Sequence, residues 1–343
     1  MTQKREPFFD NAKFILMYLV IATHLLQPFI TRGLGYEVFY YVIFLFHMPA
    51  FIMISGYFSK NYRRKDYLKK LFKKLIVPYL CFQAIYSLFY YVTGLNENLV
   101  FSIFEPEWSL WFLLSLFFWN AALFVFRRFK ARTALGAALL LGLLVGYIPW
   151  IDQQLSLSRT FVFFPFFLLG HYMTSYHFHW MRQHMRRIAP ALFIGVALFI
   201  AINPWLNKYW FFGSQPYEDF LAVPALGAIV RLLIYFLSVL TAFAFFAWVP
   251  RRQAFYTKWG QNTITAYLLQ GFIVKGLRAV GVSSWTFGFG WFLLWLIAAF
   301  VLTSFLASGL VENWRQQLLR RLKGRKERAQ SANFSKSPLE FKN

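Results

Sequence analysis

The chain has 343 residues, 59% of them hydrophobic and 14% charged, with 44 Phe, 13 Trp and a net charge of +23. A soluble domain is roughly 45–50% apolar and about 25% charged, so an ordinary core cannot absorb this excess and lipid is the expected solvent. The charge does not point to nucleic acid, because the basic residues sit in short segments between apolar runs and no zinc-finger, helix-turn-helix or RNA-binding signature accompanies them. The lone Cys81 excludes an intramolecular disulfide and a cysteine-ligated zinc site. Residues 1–13 are polar, and the run after them is long enough to span and lacks a small-residue cleavage site, which argues against a cleavable signal peptide.

Apolar runs follow in order at 13–31, 38–58, 76–94, 108–126, 134–150, 161–176, 190–206, 221–248, 260–277 and 288–311. Most approach the ~20 residues that cross a bilayer; the sixth and seventh are short and the eighth is long. The expected fold is all-α, a polytopic transmembrane bundle of about ten spans. A cytoplasmic segment at 1–12, the membrane domain at 13–311 and a basic tail at 312–343, its last part disordered, make up the domain plan. With a cytoplasmic N-terminus, the segments 1–13, 59–75, 127–133, 177–189, 249–259 and 312–343 hold 30 of the 36 Lys and Arg. That bias sets both termini in the cytoplasm.

Ionisable residues inside spans are costly and face an interior or a partner. Lys13 and His24 are eleven residues apart, three helical turns plus roughly 20°, so they share a face with His24 about 16 Å deeper. Asp10 is one turn before Lys13. The arrangement suits a cationic entrance leading to an imidazole general base, and equally a histidine bonded to a neighbouring helix. His47, two residues before Pro49, falls near mid-membrane, where Pro49 frees a backbone carbonyl for a polar neighbour. The basic stretch 60–74, with Arg63, Arg64, Lys70 and Lys73, reads as a topology signal with anionic-lipid attraction, or as a phosphate clamp for a nucleotide-bearing donor. Arg159 stands at the outer mouth of the sixth run, where it could snorkel. His171 reads as packing, and His177, His179 and His184 as solvated without a zinc spacing. Arg231 needs an anion, carbonyls or water, and polar Gln270 and Lys275 lie in the ninth run.

Taken together in this order, the residues resemble the acyltransferase-3 family of membrane acyltransferases over about 5–311. The landmarks are Arg5, Asp10 and His24, then Phe46 to Gly56 (Phe-x-Met-Pro-x-Phe before Ser-Gly). Lys69 to Tyr79 is a basic stretch leading into Pro-Tyr, and Trp111-Phe112-Leu113 follows. Arg159 stands ahead of Phe166 to Gly170, and Gly260 to Leu269 carries Gly-x-Asn-Thr before Tyr-Leu-Leu. The resemblance implies transfer of an acyl group, commonly acetyl, from cytoplasmic acyl-CoA to an envelope carbohydrate or glycolipid, with no permanently bound cofactor and no metal. It implies a bacterial inner-membrane enzyme without the esterase-like domain fused to some members. Lys13 stands where the family has arginine, Lys70 and Lys73 replace arginines of the basic stretch, and Gln270 replaces a frequent histidine.

The expectation is therefore an O-acyltransferase with His24 and Asp10 catalytic, as general base or as acylated nucleophile. Lys13, Arg63, Arg64, Lys70 and Lys73 are expected at the donor, and His47, Arg159, Arg231 and Gln270 along the substrate pathway. Membrane lipids are further partners. A secondary transporter or glycan exporter is the rival reading. The lack of an internal repeat and the few acidic residues in the spans count against it.

Overall fold

The computed structural model describes residues 5–62, 66–204, 206–282, 288–317 and 320–321. Arg63, Arg64 and the end of the basic tail lie outside the described residues. No strand occurs among the described residues, and each apolar run contains helix. In chain order the helices are α1 (Pro7–Leu26), α2 (Leu34–Tyr57), α3 (Tyr67–Val92), α4 (Trp111–Phe126), α5 (Ala131–Leu144) and α6 (Leu157–Tyr172). They continue with α7 (Ser175–His184), α8 (Ala189–Ala201), the short α9 (Lys208–Phe212), α10 (Gly227–Trp248), α11 (Thr263–Ala279) and α12 (Phe289–Leu306).

By length and composition five segments are fit to cross a bilayer: Pro7–Arg32, Leu34–Lys60, Tyr67–Val92, Pro224–Trp248 and Phe289–Leu306. The seventh run supplies only α8, of 13 residues; α7 lies in the basic segment before it, and the two helices, bent by 80° at their break, pass the same test only as a pair. The fourth and fifth runs are shorter apolar helices, and α6 and α11 have 16 and 17 residues. The protein is thus a multi-pass membrane protein whose helices differ widely in reach.

Helices in lipid gain little from burying apolar surface against one another, so close backbone packing decides which pairs hold. The pair α2 and α6 does this with glycine. A Cβ on Gly56 would strike the Phe167 carbonyl, and one on Gly170 would strike the Met53 carbonyl. Around this contact α2 also meets α1, α8 and α10. It is the most enclosed long helix, with 67% of its span buried, whereas only 17% of α12 is buried and one side of it faces outward. Trp291, Leu294, Ile297, Val301 and Phe305 form that outward face.

One end of the bundle is basic. There Asn11 donates to the carbonyls of Pro250 (2.8 Å) and Arg252 (2.9 Å), Lys60 to Met173 O (2.6 Å) and Arg251 to Phe178 O (2.7 Å). His177 accepts from the Thr174 N–H as a helix cap at 3.0 Å, and His179 lies 2.9 Å from Arg251, so both are engaged in local structure. No group of side chains able to hold a metal ion exists among the described residues.

The segment between α3 and α4 folds back along α3 instead of arching over the surface. Gln83, fully buried on α3, donates to the carbonyls of Ser102 (2.7 Å) and Glu105 (2.8 Å) and accepts from Glu107 N (2.9 Å). Tyr79 adds a bond to Ile103 O at 2.6 Å. The fourth run therefore becomes helical at Trp111, later than its apolar start, and residues 108–110 enter the bundle as non-helical chain. Trp108 has φ 48°, a left-handed conformation that costs a bulky side chain strain.

Candidate active site

A cavity of about 220 Å³ lies between α1, α2, α4, α6, α9 and α11. Its wall is mostly apolar, from Met17, Phe44, Met48, Phe51, Phe112, Phe163, Phe211 and Phe212. The polar groups that interrupt that wall include His24, Gln27, Tyr40, His47, Ser109 and Arg159. Met17 and Gln27 both line it, so it extends over roughly 15 Å of α1.

His24 sits in the last turn of α1. Its Nδ1 is 3.1 Å from Gln270 Oε1, and Gln270 Nε2 donates to Ser109 Oγ at 3.3 Å. An amide that spends its N–H on a hydroxyl turns its carbonyl toward the ring. The ring nitrogen facing that carbonyl must then carry the proton, which leaves the Nε2 lone pair as the basic site. Ser109 is held in turn, since its carbonyl accepts the Tyr267 hydroxyl. The Trp108 ring meets the His24 ring edge-on at 4.9 Å and lies under Lys275 (4.5 Å) and Arg278 (4.9 Å). Arg278 also donates to His24 O (2.6 Å) and Gln27 Oε1 (2.8 Å), which fixes the end of α1.

His47 lines the same cavity and is 1% exposed. Its Nδ1 bonds Ile43 O at 2.8 Å, so its Nε2 is also a free acceptor. The carbonyl that Pro49 deprives of an N–H partner is that of Leu45, four residues earlier, so His47 does not answer it. Phe9 stacks on Tyr57 at 4.7 Å and sets α1 and α2 level there. His24 is fifteen residues from Phe9 and His47 ten from Tyr57, which puts His24 roughly 7 Å farther from the basic end.

The remaining expected site residues are distributed more widely. Asp10 is paired with Arg5 at 2.7 Å and Lys13 at 2.8 Å at the basic end. It does not touch His24, whose ring nitrogen bonds Gln270 instead. Lys70 and Lys73 are exposed on the first turns of α3 and do not line the cavity. Arg231 is 2% exposed but belongs to a second core cluster, where it donates to Trp210 O and lies 5.1 Å over the Trp210 ring. It does not line the cavity. His171 bonds Ser59 at 2.7 Å, the packing role expected of it. Arg159 does line the cavity and stacks 5.2 Å over Trp111.

Sequence reasoning passed over Trp108, Ser109, Tyr267 and Arg278. The spacing of Lys275 and Arg278, three residues apart on one helical face, was an available signal. Nothing in the sequence signalled the back-folding that brings Trp108 and Ser109 to His24.

The family model described as an acyltransferase domain, of the acyltransferase-3 type, matches residues 6–311. A nodulation protein NolL from Mesorhizobium japonicum is 24% identical over 302 residues, covering 80% of this chain and 78% of its own. A second, from Sinorhizobium fredii, is 27% identical over 184 residues, 48% of each chain. No solved structure matches. The matched region contains every residue of the cavity wall, and an acyltransferase activity decides for an enzyme over an exporter. The chain belongs to the acyltransferase-3 family of membrane acyltransferases.

Proposed function

We propose that the protein moves an acyl group, acetyl in the first instance, from cytoplasmic acyl-CoA to a hydroxyl of an envelope carbohydrate or glycolipid. The observation that carries this reading is the His24–Gln270–Ser109 chain, which leaves a basic Nε2 at the wall of an otherwise apolar cavity. In the reaction His24 Nε2 takes the proton of the acceptor hydroxyl as its oxygen attacks the thioester carbonyl. The C–O bond forms, the C–S bond breaks, and the imidazolium returns the proton to the departing thiolate. Water exclusion by the apolar wall favours transfer over hydrolysis.

The proposed topology has ten spans with both termini in the cytoplasm of a bacterial cell, in the inner membrane. It rests on the segregation of 30 of the 36 Lys and Arg to one side. On that side Lys13 and the exposed Lys70 and Lys73 attract the phosphates of the donor. Cells lacking the gene should lose an ester-linked acyl group from their envelope glycans, and the purified protein should bind coenzyme A. Unchanged esters together with no coenzyme A binding would overturn the reading.

A further inference from the structure

We propose that Arg159 receives an anionic group of the acceptor, so that the substrate is an acidic sugar unit bearing a carboxylate or a phosphate. The inference rests on the acyltransferase reading above.

Arg159 is the third residue of α6 and is half-buried in the cavity wall. Its guanidinium lies 5.2 Å over the Trp111 ring, and Phe163 stacks on the same ring at 5.5 Å. These contacts hold the group in place while leaving its N–H donors to the cavity. Among the described residues it has neither a hydrogen bond nor a carboxylate within ion-pairing distance. The three ion pairs found there are Arg5–Asp10, Lys13–Asp10 and Arg315–Glu312.

The other enclosed guanidiniums of this region are committed. Arg231 donates to Trp210 O, and Arg278 holds His24 O and Gln27. A guanidinium withdrawn from bulk water and left without an oxygen partner is costly, and an arriving oxyanion removes that cost through two parallel N–H···O bonds.

The position separates this role from stabilising the reaction's own oxyanion. Lys275 and Arg278 stand over Trp108, whose ring meets His24, whereas Arg159 lies over Trp111 on the α6 side of the cavity. Arg159 therefore addresses a second point of the ligand, on another wall from the base. The cavity of about 220 Å³ is below the ~300–1,000 Å³ of pockets for drug-sized molecules. The anion and the acylated hydroxyl thus belong to one sugar unit or to directly joined ones.

The test uses cells carrying the wild-type gene, His24→Ala, Arg159→Gln or Arg159→Lys. Released envelope glycans are separated on an anion exchanger, and ester-linked acyl groups are located by mass spectrometry. The ester lost in His24→Ala cells is expected in the acidic fraction. Arg159→Gln should lower it about tenfold or more at matched protein abundance, and Arg159→Lys should retain more than Gln does. The mass of the ester-bearing unit then separates carboxylate from phosphate, either of which supports the proposal.

An ester found only in the neutral fraction would overturn the acidic-acceptor proposal while leaving the acyltransferase reading standing. That comparison needs no Arg159 variant to fold. Wild-type ester levels in Arg159→Gln cells would likewise overturn it. No ester difference between wild-type and His24→Ala cells would instead remove the acyltransferase mechanism, and this inference with it.

Discussion

In the proposed mechanism His24 and Gln270 divide the work of a base between two helices. The imidazole supplies the lone pair, and the amide, fixed by Ser109, decides which nitrogen offers it. Gln270→Leu should therefore lower kcat about tenfold or more, a smaller loss than the 10²–10⁴-fold that removal of a general base brings. The KM for acyl-CoA should stay near the wild-type value, because Gln270 faces the imidazole and not the donor. Steady-state kinetics on protein of matched thermal stability decides, and an unchanged kcat would remove the orienting role. His24 was legible in the sequence from its shared face with Lys13. Gln270 was legible as a polar group within an apolar run. Their contact was not, since 246 residues separate them. Asp10 shares that helical face but pairs with Arg5 and Lys13 at the basic end, because a shared face says nothing about reach along the axis.

At the scale of elements, glycine contacts and charge clusters carry the testable content. Gly170→Ala places a methyl against the Met53 carbonyl, where backbone cannot yield easily, so α2 and α6 must separate. Overpacking of this kind costs about 1–3 kcal/mol, and a lower unfolding temperature in detergent is the expected result. Glu312 joins the chain after α12 to α11: it accepts from Arg315 at 2.6 and 2.8 Å and from Thr265 at 2.7 Å. The Arg315 bonds chiefly, with those from Gln316 and Thr265, pull its carboxyl down from 4.5 to about 2. A depressed carboxyl stabilises the fold fully above its unfolded value, and that stability is lost as pH falls from about 4.5 toward 2. Glu312→Gln should flatten the stability profile in that acid window and lower stability at neutral pH; an unchanged acid limb would contradict the assignment.

On α3 the exposed Lys70 and Lys73 should govern donor affinity without shaping the cavity. Their double alanine variant should raise the Kd for acyl-CoA. The wild-type Kd should rise with salt, because screening at ~0.15 M acts over about 8 Å. Insertion failure with unchanged affinity would leave these lysines as topology signals alone. The helical runs were visible as long apolar stretches, but the 80° bend between α7 and α8 and the back-folding of residues 99–110 were not. The back-folding is set by tertiary bonds, such as those of Gln83, which no local pattern encodes.

For the whole molecule, the segregation of basic residues predicts orientation, and the cavity predicts chemistry. In a Cys81→Ser background, which removes the single exposed thiol, a cysteine at Glu97 should react with an impermeant reagent in intact cells and one at Arg128 should not. The reverse pattern would place the lysines of α3 on the wrong side for a cytoplasmic donor. The most direct test of the central claim is single-turnover acyl transfer by matched amounts of folded wild-type and His24→Ala protein. Loss of a general base raises the barrier by roughly 3–5 kcal/mol, so the variant should be slower by about 10²–10⁴-fold while its membrane insertion and coenzyme A affinity are retained. Near-wild-type turnover by His24→Ala would contradict the account.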